Sequence, residues 1–393
     1  MNSRVSQRHV TVGASSQECK LYSSLVKQYG TPLLVYDSRT VQQRYAELVA
    51  ALPGVRLFYA VKANPHEDII RTIDRLDGGF DVASGGEANL LLELKVFGRR
   101  TIHTHPIKKD DEIRTALRHG VTTFVVDNLY ELQKLVPYRS RVGVLLRVSF
   151  RSANAIVDLS KKFGCSVDDA PQIVTAAREM GLHVKGLSFH VGSQCEDASK
   201  HVEGIETCHR LMESLNRHDG TPMNVLDIGG GFPADYSRRG VDIHAFCQPI
   251  REALDRLPED WDILAEPGRF LIASAVTSIT SIVGKSVRDG VNWYYLDDGV
   301  YGSYSGQIYD HACYPLQVLK EGECRTSVLA GPTCDSIDIV AEGIELPELE
   351  PGDLVIGHEM GAYTAATRTR FNSLPDAMFV DLASWLAQCN VPA

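Results

Sequence analysis

The sequence predicts an α/β protein, with a (β/α)8 barrel of the TIM type over residues 33–270 followed by an antiparallel β domain. Up to residue 270, short β-rich runs alternate with stretches of helical apolar spacing, which is typical of βαβ units and a parallel sheet. Eight or more such units fit a closed barrel better than an open sheet. Beyond residue 270 the helical stretches stop, and short apolar segments between turn signals indicate antiparallel strands.

The sequence contains nine β-rich runs, whereas the barrel has eight strands. The first run is therefore the one that could lie outside the barrel. The runs span 31–37, 56–63, 79–84, 101–106, 122–127, 142–148, 184–192, 225–231 and 262–270. Stretches with the apolar spacing of helices lie between them, for example Glu67 to Leu76, Glu87 to Phe97 and Ala198 to Leu215.

The second domain is predicted over residues 271–393 together with residues 1–32. Its apolar segments span 275–287, 292–301, 325–334 and 353–364. Turn signals containing glycine, proline and aspartate separate these segments, as expected for a β domain.

Composition excludes several classes of protein. Of the 393 residues, 44% are hydrophobic and 23% are charged, which is the mix of an ordinary globular protein. A net charge of −10 argues against binding nucleic acid or an anionic membrane. No run approaches the ~18 apolar residues that span a bilayer. The start of the chain lacks the apolar core of a signal peptide, and the nine cysteines form no C-x-x-C pair, so we expect a cytoplasmic protein with free thiols.

In a barrel of this type, functional groups collect where the strands end. Lys62 ends an apolar run, where partial desolvation lowers the pKa of a lysine and suits it to imine formation, although a snorkelling lysine gives the same pattern. Gly229, Gly230 and Gly231 follow another strand. Their N–H groups can surround an anion such as a phosphate, or form only a turn.

Two further strand ends carry ionisable groups. Glu266 follows an apolar run, so its carboxylate needs a cationic partner, either Arg269 or the nitrogen of a cationic ring. His190 is followed by a glycine and Ser193, and its pattern also fits a hydrogen-bonded core histidine.

Together, a lysine, a glycine cradle and a buried glutamate predict pyridoxal 5′-phosphate as the cofactor. The lysine would bind the aldehyde, the cradle would bind the phosphate, and the glutamate would keep the ring nitrogen protonated. No metal site is predicted, because His103 and His105, which would share a strand face, have no carboxylate motif beside them. Lys108 and Lys109 are expected to be solvated.

Several separated motifs resemble one family. The motifs FYAVKAN, GFDVAS, SFHVGSQC, LDIGGGFP and AEPGRF are similar to those of the group IV pyridoxal-phosphate decarboxylases, which have an alanine-racemase-like barrel. In the second domain, DDGVYGSYSGQIYDHA, GPTCDSID and HEMGAYTAATRTRFN resemble eukaryotic-type ornithine decarboxylases. The resemblance runs from about residue 30 to residue 375.

The resemblance implies a role for each matching residue. Lys62 binds the cofactor aldehyde, His190 stacks on the pyridine ring, and Glu266 pairs with the ring nitrogen. The other residues implied to bind the cofactor are Asp81, Arg147, Ser193, Gly229, Gly230, Gly231, Gly268, Arg269 and Tyr363.

The resemblance also implies a homodimer with shared active sites. Cys334 reprotonates the product carbon, and together with Asp335 it comes from the other subunit. Asp310 and Asp335 meet the distal amine of the substrate. The further residues implied to line the substrate site are Tyr301, Tyr309 and Phe371.

The implied activity is decarboxylation of a basic L-amino acid, foremost ornithine to putrescine. Lysine, both substrates together, and a related diamino acid of secondary metabolism remain alternatives, because Gln194 and residues 305–307 depart from the animal ornithine enzymes. Asp335 after Cys334 disfavours diaminopimelate, whose distal carboxylate it would repel, and alanine racemases lack the GPTCDS element. A non-catalytic regulatory relative is the alternative from another class. Its usual mark, a lost cofactor or substrate residue, is not found here.

Overall fold

The computed structural model of this chain describes residues 10–150, 162–217, 221–238 and 240–389. They divide into two compact units. The barrel unit comprises the described residues of Gln42–Pro233 and Asp242–Leu271, and the β unit those of Met1–Val41, Ala234–Val241 and Ile272–Ala393. Residues 33–41 therefore fall in the β unit, whereas the predicted boundary assigned them to the barrel. Residues 1–9, on which the signal-peptide argument depends, lie outside the described residues.

The strands are numbered in chain order. They are β1 (Val10–Val12), β2 (Leu33–Tyr36), β3 (Arg56–Ala60), β4 (Gly79–Val82), β5 (Thr101–His103), β6 (Thr123–Val126), β7 (Gly143–Arg147), β8 (His183–Ser188), β9 (Val225–Asp227), β10 (Asp262–Ala265), β11 (Val276–Arg288), β12 (Val291–Leu296), β13 (Leu316–Val318), β14 (Arg325–Ala330), β15 (Ile339–Leu346), β16 (Leu354–Gly357) and β17 (Met378–Asp381).

The α-helices are numbered in the same way. They are α1 (Ser16–Tyr29), α2 (Ser38–Ala51), α3 (Glu67–Arg75), α4 (Gly85–Glu93), α5 (Asp110–His119), α6 (Leu129–Leu135), α7 (Ala170–Glu179), α8 (Ser199–Asn216), α9 (Ile243–Leu254), α10 (Arg269–Ile272), α11 (Gly306–Tyr309) and α12 (Leu382–Gln388).

Within the described ranges, β3 to β10 close into an eight-stranded parallel barrel. Closure comes from β10, which pairs with both β9 and β3. A buried apolar cluster packs the strands together, and it contains Phe58, Ile102, Val125, Leu145 and Leu264. The predicted (β/α)8 barrel is confirmed. The strand left over is β2, which pairs with β11 in the other unit, as the count of nine runs suggested.

Local sequence signals begin several of the barrel helices. Ser84 and Asn128 are the N-caps of α4 and α6, and each side-chain oxygen accepts a hydrogen bond from the backbone N–H three residues on. Buried isoleucines, Ile69, Ile70 and Ile73, form the apolar face of α3.

The β unit contains a nine-stranded sheet within the described residues, with the main order β1-β13-β16-β11-β12-β14-β15. Outside this path, β2 pairs with β11, and β17 pairs with β2. Most pairs are antiparallel, whereas β1–β13, β12–β14 and β17–β2 are parallel. One core cluster includes Leu25, Ile279, Ile356 and Trp385. The predicted β domain is therefore confirmed, although its sheet is mixed.

Two further features of the described residues bear on the sequence predictions. No helix among them is both long enough and apolar enough to cross a bilayer. All nine cysteines are described, and each is a free thiol.

Two sequence predictions near β5 are wrong. The strand ends at His103, so His105 lies in the following loop and does not share a strand face with it. Lys108 is buried, 1% exposed, rather than solvated. Its Nζ donates to the carbonyls of Pro106 and Val125 at 2.8 and 2.6 Å. Burial lowers the pKa of Lys108 to about 8, and Glu131 opposes that shift. These hydrogen bonds enclose the lysine within the protein.

Candidate active site

The reactive side chains of the barrel unit lie at the carboxyl ends of its strands, the end at which barrel enzymes build their sites. Their positions are Lys62 in the turn after β3, Asp81 on β4, Arg147 at the end of β7, His190 two residues after β8, Gly229, Gly230 and Gly231 after β9, and Glu266, Gly268 and Arg269 after β10. Residues from six strands thus lie at one rim, four of the strands being those whose ends the sequence pattern singled out and two, β4 and β7, those whose residues only the family resemblance implied.

Lys62 forms an ion pair with Asp81. Its Nζ donates to Oδ2 of Asp81 at 2.6 Å. The Asp81 side chain is fully buried and also accepts a hydrogen bond from the hydroxyl of Thr104, while the Lys62 side chain remains 37% exposed. The buried carboxylate therefore fixes the direction of the lysine, whose side chain stays partly accessible.

Glu266 belongs to a cluster of buried carboxyl groups. Burial, and then the charges of Asp227 and Asp81, raise the pKa of Glu266 well above its usual range. Asp227 is fully buried, and burial raises its pKa to about 6 although a hydrogen bond with Glu266 opposes this shift. Lys62 is the cation that acts against the rise at Glu266. A cluster of this kind favours the arrival of a further positive charge, because a nearby cation stabilises the ionised carboxylate.

His190 is held as a neutral ring. Its Nδ1 accepts a hydrogen bond from the N–H of Gly192 at 3.0 Å, which places the ring proton on Nε2. The ring keeps some exposed surface, but desolvation, and then the charges of Arg147 and Lys62, lower its pKa well below the usual range. Burial also lowers the pKa of Arg147. His190 therefore presents a flat uncharged face.

The three glycines after β9 admit no side chain. A Cβ on Gly229, Gly230 or Gly231 would collide with the carbonyl oxygen of Phe189, Glu266 or Gly192 respectively. Gly229 and Gly231 also have φ angles of +68° and +96°, which favour glycine. Among the described residues, the N–H groups of Gly230 and Gly231 have no acceptor. We call these three residues the glycine cradle.

Ser193 and Arg269 add further donors to the same unit. The Nη2 of Arg269 donates to the hydroxyl of Ser193 at 3.0 Å, and Arg269 is only 5% exposed. Free backbone N–H groups, a hydroxyl and a guanidinium together form the donor set that a phosphate dianion requires.

The β unit has its own group of matched residues. The hydroxyl of Tyr301 donates to Oδ2 of Asp335, and the rings of Tyr301 and Phe371 lie 4.7 Å apart. This hydrogen bond lowers the pKa of Asp335 and raises that of Tyr301 to about 12. The N–H of Cys334 donates to the side chain of Asn372 at 3.1 Å, and Cys334 is exposed.

The remaining predicted residues of the β unit lie on other segments. Tyr309, 60% exposed, ends α11 and Asp310 follows it. Tyr363 lies in a left-handed backbone conformation, with φ of +54°.

Three polar residues of the barrel unit were not predicted from the sequence, of which Asp227 and His201 are buried and Glu87 is partly exposed. Asp227 is the last residue of β9, and its place two residues before the cradle was the available signal. Burial raises the pKa of Glu87 to about 7, and its S-x-x-E spacing from Ser84 indicated only a helix start. His201 gave no signal beyond its place in a helical stretch.

Comparison with known proteins identifies the family of this chain. Residues 38–273 match the family described as the pyridoxal-binding domain of pyridoxal-dependent decarboxylases. A lysine/ornithine decarboxylase of Selenomonas ruminantium is 37% identical to the chain, covering 94% of it and 95% of the relative. The crystal structure of lysine/ornithine decarboxylase from Vibrio vulnificus complexed with cadaverine is 49% identical, with a TM-score of 0.90, and covers 94% of this chain and 99% of that one.

A third relative is not named as a decarboxylase. The antizyme inhibitor 2 of Xenopus laevis is 34% identical over 90% of this chain and 82% of the relative. The matched family, the fold and the shared length of these relatives lead to one conclusion. This chain belongs to the group IV pyridoxal-phosphate-dependent decarboxylases, enzymes that use pyridoxal 5′-phosphate to decarboxylate amino acids.

Proposed function

We propose that the chain decarboxylates basic L-amino acids, with ornithine as the leading substrate and lysine as the second. The observation that carries this proposal is Asp335, whose carboxylate is kept ionised by the hydroxyl of Tyr301 and follows directly on Cys334. An ionised carboxylate binds a distal ammonium group by charge-assisted hydrogen bonds and repels a distal carboxylate. The relatives named lysine/ornithine decarboxylase support the inclusion of lysine.

The donors and acids of the barrel unit fit pyridoxal 5′-phosphate. Lys62 would bind its aldehyde, Glu266 would pair with its ring nitrogen, and His190 would lie against its ring. The phosphate would be held by Ser193, Arg269 and the glycine cradle, with Asp81, Arg147 and Gly268 completing the cofactor site, and the family resemblance adds Tyr363 of the β unit as a phosphate ligand. The bound cofactor supplies an electron sink for the electron pair that remains when CO₂ leaves the substrate.

The protein's own groups would position the reactants and move the proton. Asp81 orients the amine of Lys62, and Glu266 stabilises positive charge beside it. The thiol of Cys334 would act as the general acid, delivering a proton to the former α-carbon of the substrate. Asp310 and Asp335 would hold the distal ammonium group.

Substrate preference is tested by comparing kcat/KM for ornithine, lysine, arginine and 2,4-diaminobutyrate. We expect ornithine to exceed arginine and 2,4-diaminobutyrate by at least about tenfold, because one extra or missing methylene is worth ~1–3 kcal/mol. Lysine should follow ornithine more closely, in line with the relatives named lysine/ornithine decarboxylase. A protein that prefers arginine or 2,4-diaminobutyrate would contradict the substrate assignment, although it would leave the decarboxylase assignment intact.

We also propose a homodimer in which Cys334 and Asp335 complete the site of the partner subunit. Lys62 belongs to the barrel unit and Cys334 to the β unit. In a two-fold dimer each subunit contributes the same surface residues to the other. Mixing inactive Lys62→Ala with inactive Cys334→Ala should therefore create dimers with one intact site.

The size of the rescue follows from counting sites. Random exchange makes about half of the dimers mixed, each with one intact site of two, so amine formation should recover to roughly a quarter of wild type. A fluorescent label on one variant should establish that subunits exchange. Exchange without any recovery would show that both residues act from the same chain.

The non-catalytic alternative has less support. Loss of a cofactor or substrate residue would favour it, and this chain retains Lys62, Glu266, Cys334, Asp310 and the glycine cradle. The purified protein should therefore be yellow from bound cofactor. A protein that stays colourless when pyridoxal phosphate is supplied would favour the regulatory alternative.

A further inference from the structure

Each of the three carbonyl groups of the glycine cradle accepts a hydrogen bond from a residue outside the cradle. The carbonyl of Gly229 accepts a hydrogen bond from the N–H of Glu266 at 2.8 Å, and that of Gly231 accepts one from the N–H of Cys195 at 2.9 Å. The carbonyl between them, on Gly230, lies 3.1 Å from Nε2 of His201. Two of the three carbonyls are therefore fixed by backbone donors, and the middle one by a side chain.

The orientation of the middle peptide group, between Gly230 and Gly231, needs to be fixed. In a planar trans peptide the C=O of Gly230 and the N–H of Gly231 point in opposite directions. A carbonyl turned toward His201 therefore turns the N–H of Gly231 to the other side. Because glycine stands on both sides of this bond, little steric resistance opposes a rotation of the peptide plane.

His201 is buried in a way that packing alone does not explain. The ring is fully buried, stacks on Phe232 with centroids 5.4 Å apart, and meets Phe246 edge-on at 5.9 Å. Its Nδ1 has no hydrogen-bond partner among the described residues. A phenylalanine would make the same aromatic contacts without burying an unpaired nitrogen. The donor at Nε2 is the property that phenylalanine lacks.

We propose that His201 is a positioning residue for the cofactor phosphate, acting through the Gly230 peptide. The neutral ring donates from Nε2 to the carbonyl of Gly230 and holds the N–H of Gly231 toward the phosphate. Burial keeps the ring neutral, since it lowers the pKa of His201 to about 4. This inference rests on the proposed binding of the phosphate at the glycine cradle.

The test compares two probes with the same apoprotein. Dissociation constants are measured for pyridoxal 5′-phosphate and for pyridoxal, which lacks the phosphate, in wild type, His201→Phe and His201→Gln. The dissociation constant of pyridoxal divided by that of pyridoxal 5′-phosphate is called the phosphate ratio. It reports the contribution of the phosphate alone. A general loss of stability would weaken both probes together.

His201→Phe should lower this ratio about tenfold, the loss of about one good hydrogen bond, with pyridoxal binding nearly unchanged. His201→Gln should restore most of the ratio, because its amide nitrogen can donate from a similar position. His209→Phe is the matched control on α8, since His209 contacts Glu213 and Trp261 instead. It should leave the ratio unchanged.

The possible outcomes separate this inference from the proposed function. If the wild-type ratio is large and His201→Phe leaves it unchanged, the proposed role of His201 is wrong, whereas the proposed binding of the phosphate at the glycine cradle is unaffected. If the wild-type ratio is near one, the phosphate does not bind at the cradle and the site assignment fails first. If His201→Phe does not fold, His201→Asn replaces it. Its donor lies nearer the backbone, so its ratio should fall below that of His201→Gln, and equal ratios would overturn the proposal.

Discussion

Replacing Lys62 with alanine should lower turnover by more than about 10³-fold, equivalent to about 4 kcal/mol in the activation free energy. The variant loses the amine that would bind the cofactor aldehyde. It should also lose the visible absorbance of the lysine-bound cofactor. The measurements are the absorbance spectrum with added pyridoxal 5′-phosphate and the rate of CO₂ release.

Removing Lys62 also removes the ion-pair partner of the buried Asp81, so a second variant is needed to separate stability from chemistry. Lys62→Arg keeps a cation beside Asp81 but carries no amine that can react with an aldehyde. It should be as inactive as Lys62→Ala and closer to wild type in stability. Lys109→Ala, which removes an exposed lysine, should behave as wild type. Substantial turnover in Lys62→Arg would remove Lys62 from its assigned role.

Replacing Glu266 with glutamine should lower kcat by about 10²-fold or more, equivalent to about 3 kcal/mol. Glutamine keeps the size of the side chain but cannot carry the negative charge that favours a protonated ring nitrogen. Burial, and then the carboxyls of Asp227 and Asp81, already raise the pKa of Glu266, so its ionised form depends on a cation beside it. The measurement is kcat at saturating substrate and cofactor.

The control for this prediction is Glu206→Gln, the same chemical change at an exposed ion pair with Arg256 on the same unit. It should leave kcat unaltered. Spectra should also show that Glu266→Gln still binds the cofactor, so that the loss is assigned to the reaction rather than to binding. An unaltered kcat in Glu266→Gln would mean that another group pairs with the ring nitrogen.

The barrel could be predicted from the sequence because its pattern is local. Each of its eight strands is a short β-rich run between helical stretches, and strand ends such as Lys62, Gly229 and Glu266 follow directly from the runs. The boundary between the barrel unit and the β unit was less predictable. The run containing Leu33–Tyr36 has the composition of a barrel strand, yet it pairs with β11 and β17, and such pairing is not encoded within the run itself.

The buried polar groups could not be predicted, because their burial depends on contacts between distant segments. Lys108 is expected to be solvated when it is considered by itself, but it is enclosed by carbonyls of its own loop and of β6. Asp227 acquires its significance only beside Glu266, which follows a different strand. His201 reaches the cradle from a helix, and no spacing in the sequence relates the two.

One measurement tests the central claim, that Lys62 binds pyridoxal phosphate at the mouth of the barrel, most directly. Borohydride reduction of the cofactor-loaded protein makes the bond between cofactor and lysine permanent, and mass spectrometry of the digested protein then locates it. We predict a single phosphopyridoxyl group on the peptide that contains Lys62, which disappears in Lys62→Arg. A label on Lys108 or any other lysine, or no label in a protein that decarboxylates ornithine or lysine, would contradict the account.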